Sequence, residues 1–379
     1  METTLPSDVV QGAIDQAAYY LVTNIQSNGM FRYRINTNTA IKVKPRYDIV
    51  HHAGCIHALS RYYQRRPNDI IYKVIESAGN YLCKEAIRPI PGESDILAVW
   101  SRPDIDNTTK PLQAKLGGTG LGLVALLSIE PFCYGLITLE QLRALGRFIT
   151  YMQREAGDFY PKYVPAASGR TDKWQSSCYP GEAALGLMML YERDPSISWL
   201  TSAYSALAYF AHSQEHIDSI STDYWALLAI EKILSQNQPE HSFISKELLL
   251  TYAIKICEAI LQKQIYAPRR PRYHGGFVQN GRTMPTAAWV EGLLTALSFL
   301  PTEYEITKRI QTAVMGGVKF LLKAQINKGD FTGAIPRATG KIRLGHPAVA
   351  AEFNRRVTEV RIDYVQHAMG AWMQYLAVA

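Results

Sequence analysis

Hydrophobic and polar positions along the chain fall into two alternating kinds of helix-length segment. In the first kind, Gly317, Phe320, Leu321 and Gln325 stand at i, i+3, i+4 and i+8, which is one face of a helix. Gly329 and Phe331 follow, and Gly is the residue expected where a helix stops. The pattern returns in Phe148, Ile149, Gln153, Gly157 and Phe159, and in Ala18, Leu21, Val22, Gln26, Gly29 and Phe31. Ala206, Tyr209, Phe210 and Gln214 carry its helical part, Ala78, Tyr81 and Leu82 carry it with Ala86 in place of Gln, and Ile260 with Gln264 carries it weakly. The Gln-equivalent positions 26, 86, 153, 214, 264 and 325 define a unit of about 60 residues that occurs six times.

The second kind of segment covers residues 48–63, 116–129, 181–193, 222–234, 286–300 and 360–376. These are apolar on most faces and rich in Ala and Gly, as in GGTGLGLVALL, and a helix apolar all round is a buried one. Six amphipathic helices alternating with six buried ones predict an all-α chain, a single domain over residues 1–379. Twelve principal helices in six hairpins would close as an (α/α)6 barrel, or toroid, with almost no sheet. In such a barrel the loops leading into the inner helices gather at one mouth, where chemistry is expected.

Those loops, among them KWQSSCYPG, DSISTDYW and PRYHGGFVQNGRTMP, hold much of the aromatic content. Trp100, Trp174, Tyr179, Tyr224, Trp225, Tyr273, Phe277, Trp289 and Tyr364 lie at or beside the inner-helix entrances. Several are expected to line a cavity, although packing in the core or at the rim accounts for any single one equally well. His51, His52, His274 and His367 also lie near entrances, where a satisfied structural role is the plainer account and a proton acceptor the alternative.

Composition narrows the partners. The hydrophobic fraction of 47% supports a large core, and the net charge of +7 is spread without a Lys/Arg block, the densest cluster being Arg269, Arg270 and Arg272. No nucleic-acid partner is expected. The five cysteines are odd in number, widely spaced and without a CxxC, so they read as reduced thiols, with no zinc site and no cofactor expected. METTLPSDVV has neither a basic start nor an apolar run, and no apolar stretch reaches spanning length. The expectation is a cytoplasmic protein whose membrane contact, if any, is peripheral. The pattern sets no oligomeric state.

One loop reads Asp104-Ile105-Asp106-Asn107-Thr108-Thr109. It resembles the Asp-x-Asp-Asp-Thr-Ala signature of the class II terpene cyclases, and the Gln-x-x-x-Gly-x-aromatic repeat resembles the QW motif of the same squalene–hopene cyclase-like superfamily. The repeat covers nearly the whole chain; the acidic motif covers six residues and departs from the family at Asn107. The length is similar to that of a monodomain member. The resemblance implies a protonation-initiated meroterpenoid cyclase, an isomerase that folds a linear polyprenyl chain into fused rings through carbocations. It also implies a hydrophobic prenylated substrate with a hydroxybenzoate-type head group, and no metal. In site residues it implies Asp106 as proton donor, tuned and oriented by Asp104 and Asn107.

The chemistry makes demands of its own. An acid that protonates an alkene must stay neutral at working pH, which burial and a neighbouring carboxylate both favour. Asn107 can hold its proton by hydrogen bonding, and aromatic faces stabilise a cation by about 0.5–2 kcal/mol each. An anionic head group is expected to meet one or more of Arg269, Arg270, Arg272, Arg337, Arg355 and Arg356.

The rival expectation is a carbohydrate-active (α/α)6 hydrolase or epimerase with paired carboxylates, drawn from Asp106 with Asp223, Glu291 or Asp363. Stacking on sugars accounts for Tyr and Trp as well as carbocations do. A non-catalytic scaffold is the third possibility, and the lining of the cavity separates the three.

Overall fold

The computed structural model describes residues 5–174, 176–214, 220–236, 243–343 and 346–378. Gln175, Asp218 and Ser219, which belong to loops quoted above, lie outside the described residues. The amphipathic set is α1 (Ser7–Thr23), α3 (Asp69–Tyr81), α6 (Leu139–Tyr151), α8 (Ile197–Ser213), α10 (Lys246–Leu261) and α12 (Glu305–Ala324). The buried set is α2 (Ile49–Arg65), α5 (Leu116–Ile129), α7 (Tyr179–Arg193), α9 (Tyr224–Leu234), α11 (Thr283–Ala296) and α14 (Ile362–Val378). These are the twelve expected helices, in the expected alternation. Two short ones join them, α4 (Pro103–Asp106) and α13 (Pro347–Arg355).

The expectation of almost no sheet needs correction. Strands β2 (Ile87–Ile90), β3 (Glu93–Ser101), β4 (Gln113–Lys115), β5 (Lys162–Val164) and β6 (Gly169–Thr171) pair in that order as an antiparallel sheet. Pro91-Gly92 turns the chain between β2 and β3, with Gly92 at φ 89°. A Pro-Gly pair between two apolar runs is a hairpin signal. A second pair joins β1 (Arg34–Asn36) to β7 (Glu359–Arg361).

The chain divides into two compact units. The central unit holds residues 27–30 and 46–256, and the terminal unit holds residues 1–26, 31–45 and 257–379. In the central unit every residue of α5 is buried. Its glycines allow α7 to lie close: a Cβ on Gly120 would stand 2.7 Å from the Glu182 carbonyl oxygen, and one on Gly186 would stand 2.9 Å from the Gly120 oxygen. Each fully buried Leu of α5 contributes about 1.5–3 kcal/mol as an upper estimate.

The repeat has a mechanical basis. Gln153 follows α6, and its amide donates to the carbonyls of Gly157 at 2.8 Å and of Ser202 in α8 at 2.9 Å. Gln264 does the same to Gly275 and to Ala313 in α12 at 2.7 Å. Gln325 donates to Gly333 and to Ala13 in α1 at 2.8 Å. In each case the glycine has positive φ and packs against a carbonyl of the partner helix; a Cβ on Gly157 would stand 2.5 Å from the Ser205 oxygen. In the last repeat the working glycine is therefore Gly333. Gly329, which the spacing favours, has open space around it.

Candidate active site

The central unit gathers ionisable groups where buried helices begin. Asp48 caps α2, accepting from the Val50 N–H at 3.2 Å, and faces the Lys115 ammonium at 3.4 Å. Lys115 ends β4 and stands immediately before α5. Asp223 caps α9 through the Trp225 N–H at 3.1 Å, and also accepts from the Gly181 N–H in the first turn of α7 at 3.0 Å. Glu182 follows in that turn, buried, and its Oε2 has no hydrogen-bond partner among the described residues. Gly117 makes room for it: a Cβ there would stand 1.9 Å from Oε2 and 2.3 Å from the Tyr179 ring.

Electrostatics divide these carboxyls. Burial pushes Glu182 up to about 8, helped by the charges of Asp223 and Asp48 and opposed by Lys115. Burial likewise pushes Asp223 up to about 8, against the N–H groups of Gly181, Ala226 and Trp225. Those donors favour the anion at Asp223, whereas Glu182 Oε2 has no such donor, so Glu182 is the member of the pair that keeps a proton. Asp48 goes the other way: burial would raise it, but His51, Lys115 and the Val50 N–H hold it below the usual carboxylate range.

Asp106 belongs to the same field. Its side chain is buried, and burial raises it to about 7, with Lys115 and Arg46 pulling down and Asp48 and Asp104 pushing up. Asp106 closes the single turn of α4, and Asn107 ends that turn in the left-handed conformation at φ 47°, its N–H bonded to the Pro103 carbonyl. Asp104 does not stand beside Asp106. Residues two apart on a helical turn point away from each other, and Asp104 is exposed, paired with Arg102 at 2.7 Å. Its influence on Asp106 is the smallest of those acting on that carboxyl.

The aromatics separate into several groups. Trp174 is 46% exposed, packs edge-on to Tyr179 at 5.4 Å and lies under the Lys162 ammonium at 4.3 Å. Tyr224 and Trp225 are buried against each other at 4.6 Å. Trp100 is buried, donates to the Arg88 carbonyl at 3.0 Å and borders a cavity of about 560 Å³ that Asp104 also lines. His52 is structural: its Nε2 donates to the Ala78 carbonyl at 2.9 Å, its Nδ1 accepts from the Tyr47 hydroxyl at 2.7 Å, and burial lowers its pKa to about 4.

The terminal unit has a different content. Tyr273, Phe277 and Trp289 line a cavity of about 980 Å³. His274 is outside that lining, accepting from the Ala267 N–H at 3.2 Å and packing on Tyr266. Around the start of α14, Arg356 grips Glu359 at 2.6 Å, Arg34 approaches the same carboxylate at 3.7 Å, and the Tyr364 hydroxyl donates to it at 3.4 Å. Arg361 chelates the buried Asp363 with two bonds of 2.7 Å. Arg337 lies over the Phe353 ring at 4.9 Å, and its Nη1 is buried with no hydrogen-bond partner. Arg355 pairs with Glu352 on the exposed surface, and Glu291 is buried in α11. Among the described residues no group of three or more His, Cys, Asp or Glu is placed to hold a metal ion. No helix there is long and apolar enough to cross a membrane.

Sequence reasoning missed Asp48, Lys115 and Glu182. The signal for Glu182 was present: it is a lone acid in the otherwise apolar run YPGEAALGLMML.

No family model matches the chain, and no curated protein matches it by sequence. Solved structures do match. A D-mannose isomerase superposes over 100% of both chains with a TM-score of 0.71 at 11% identity. A cellobiose 2-epimerase from Spirochaeta thermophila DSM 6192 covers 98% of this chain and 96% of its own, with TM-score 0.65 and 12% identity. An α-1,6-mannanase from Salegentibacter sp. HEL1_6 covers 98% and 99%, with TM-score 0.62 and 12% identity. At these identities the likeness shows the fold, an all-α (α/α)6 barrel. That is also the general fold of terpene cyclases, but none of these three is one.

Proposed function

We propose that the chain is an acid–base enzyme of the isomerase or epimerase type, acting on a carbohydrate. The observation that carries this reading is the group of Glu182, Asp48 and Asp106 around Lys115, with Asp223 beside Glu182. Three of these carboxyls are raised to between about 7 and 8. Moving a proton beside a carbonyl needs a base poised near neutrality, a second group that returns the proton, and a cation for the oxygen that becomes negative. In this reading Asp106 is the base, Glu182 the acid and Lys115 the cation. The exposed face of Trp174 supplies a surface for a sugar ring. Fold likeness to a sugar isomerase and a sugar epimerase supports the assignment without proving it.

The test is incubation of the full chain with a panel of reducing aldoses and ketoses in deuterium oxide. An isomeric sugar carrying one deuterium is expected, with none from Glu182→Gln. A folded protein that exchanges no proton in any sugar would overturn the proposal.

One observation favours a second reading, the class II cyclase. Asp106 is buried and raised to about 7, as a proton donor to an alkene requires. The exposed, Arg102-bound Asp104 counts against it, because the tuning partner is turned away. Conversion of a prenylated hydroxybenzoate, without metal, into a product of unchanged mass would favour this reading over the first.

A further inference from the structure

The 980 Å³ cavity of the terminal unit has a one-sided charge. Its lining includes Lys263, Arg270, Arg282 and Arg343 and, among the described residues, no Asp or Glu. Its apolar wall is Trp289 and Phe277, edge to face at 6.3 Å, with the Lys263 ammonium 5.9 Å from the Trp289 ring. Like charges crowded without counter-charge repel one another, and a cavity lined by one sign of charge concentrates the opposite sign.

Arg282 is the focus. It occupies the capping position at the start of α11, where the helix dipole disfavours a cation. Its Nε is buried without a hydrogen-bond partner among the described residues. Arg337 stands next to it in the backbone, its carbonyl accepting from the Thr283 N–H at 3.1 Å. Burial lowers the Arg337 pKa, and the charges of Arg356 and Arg282 lower it further, against Tyr364 and Glu359, which raise it. The nearby acids are already engaged, Glu359 by Arg356 and Arg34, and Asp363 by Arg361. An unsatisfied buried donor is costly, and Arg282 brings such a guanidinium nitrogen to the wall of a cavity lined by three further cations.

We propose that this cavity binds an organic anion, its negatively charged group drawn to Arg282 among Lys263, Arg270 and Arg343, and its body resting on Trp289 and Phe277. The shared chemistry is an oxyanion, which a carboxylate or a phosphate can supply.

Calorimetric titration of the full chain tests it, with D-glucuronate, inorganic phosphate and D-glucose as probes. Glucuronate or phosphate should bind with an affinity that falls with added salt, whereas any binding of glucose, which belongs to the acid–base site, should be unaffected by salt and by the arginine variants. Binding by glucuronate alone identifies a carboxylate ligand, whereas binding by phosphate identifies a phosphate group. Arg282→Gln should weaken binding at least tenfold. If that variant fails to fold, Arg270→Gln and Arg343→Gln, both at exposed positions, should each weaken it severalfold. Glu182→Gln should bind the anion unchanged, so the acid–base proposal can fail while this one stands. The anion site is overturned if neither anion binds, or if the arginine variants bind as tightly as the parent.

Discussion

The central and terminal units solve the same local problem with opposite charges. Each must satisfy the free N–H groups where buried helices start. In the central unit Asp48 and Asp223 do so directly, and an anion there is also favoured by the helix dipole. In the terminal unit Arg282 stands at the head of α11, and four other arginines, Arg34, Arg337, Arg356 and Arg361, lie around the two carboxylates Glu359 and Asp363. At α2 and α9 the capping acids are built in, whereas α5 of the same unit starts at Lys115 without a side-chain cap, so the contrast lies between those aspartate caps and Arg282. A region that leaves buried donors unmatched is prepared for a ligand with the missing charge.

The comparison breaks first at Glu182. Glu182→Gln should cut turnover by about 100- to 10,000-fold, the usual worth of a general acid, with the fold intact by circular dichroism. Asp106→Asn should act similarly if that residue is the base, and the turnover of the parent should be bell-shaped, rising near pH 7 and falling near pH 8. A flat profile would remove both residues from the chemistry.

A smaller effect is expected in the terminal unit. Glu359→Gln leaves Arg34 and Arg356 without their shared counter-charge and should destabilise the fold by about 3 kcal/mol, read by denaturant unfolding. Next comes Gly117→Ala. Its methyl group would collide with Glu182 and Tyr179, and overpacking of this kind costs about 1–3 kcal/mol. A variant as stable and as active as the parent would mean that α5 and α7 yield easily.

The smallest effect separates the units by pH. Glu182 has an ordinary value of 4.5 when unfolded and about 8 when folded. Between these values the folded protein binds more protons, so this contribution to stability is complete below pH 4.5 and declines as pH rises through 8. The melting temperature should fall from pH 5 to pH 8, and Glu182→Gln should make that fall shallower. An equal slope in both proteins would sink the assignment of the buried proton.

Much of the fold was legible because periodicity reports burial directly. The predicted segment 116–129 coincides with α5, and the other five buried helices lie within a few residues of expectation. The sheet was not, since short strands such as Gln113–Lys115 have no room to show a period. The site was legible only in part. Asp106 stood out through its motif, but the direction of Asp104 depends on α4 being a helical turn, which four residues do not announce. Lys115 and Glu182 are far apart in sequence and meet only through packing of α5 on α7. Gly333 escaped for a similar reason: the turn after Gln325 is longer than its counterpart after Gln153, so a fixed spacing picked Gly329 instead.

The clasp of Gln325 and Gly333 on α1 also sets an order of events during synthesis. α1 precedes the central unit along the chain, yet the carbonyls of Ala13 and Gln16 meet their partners at residues 325 and 333. The central unit, nearly one continuous stretch of chain, has all its strands and helices available well before that. Nascent chains fold domain by domain as segments emerge, so the central unit can consolidate while α1 waits with its apolar face uncovered. Within this chain α1 is made before the central unit and secured after it, and for that interval its apolar face stands open to solvent.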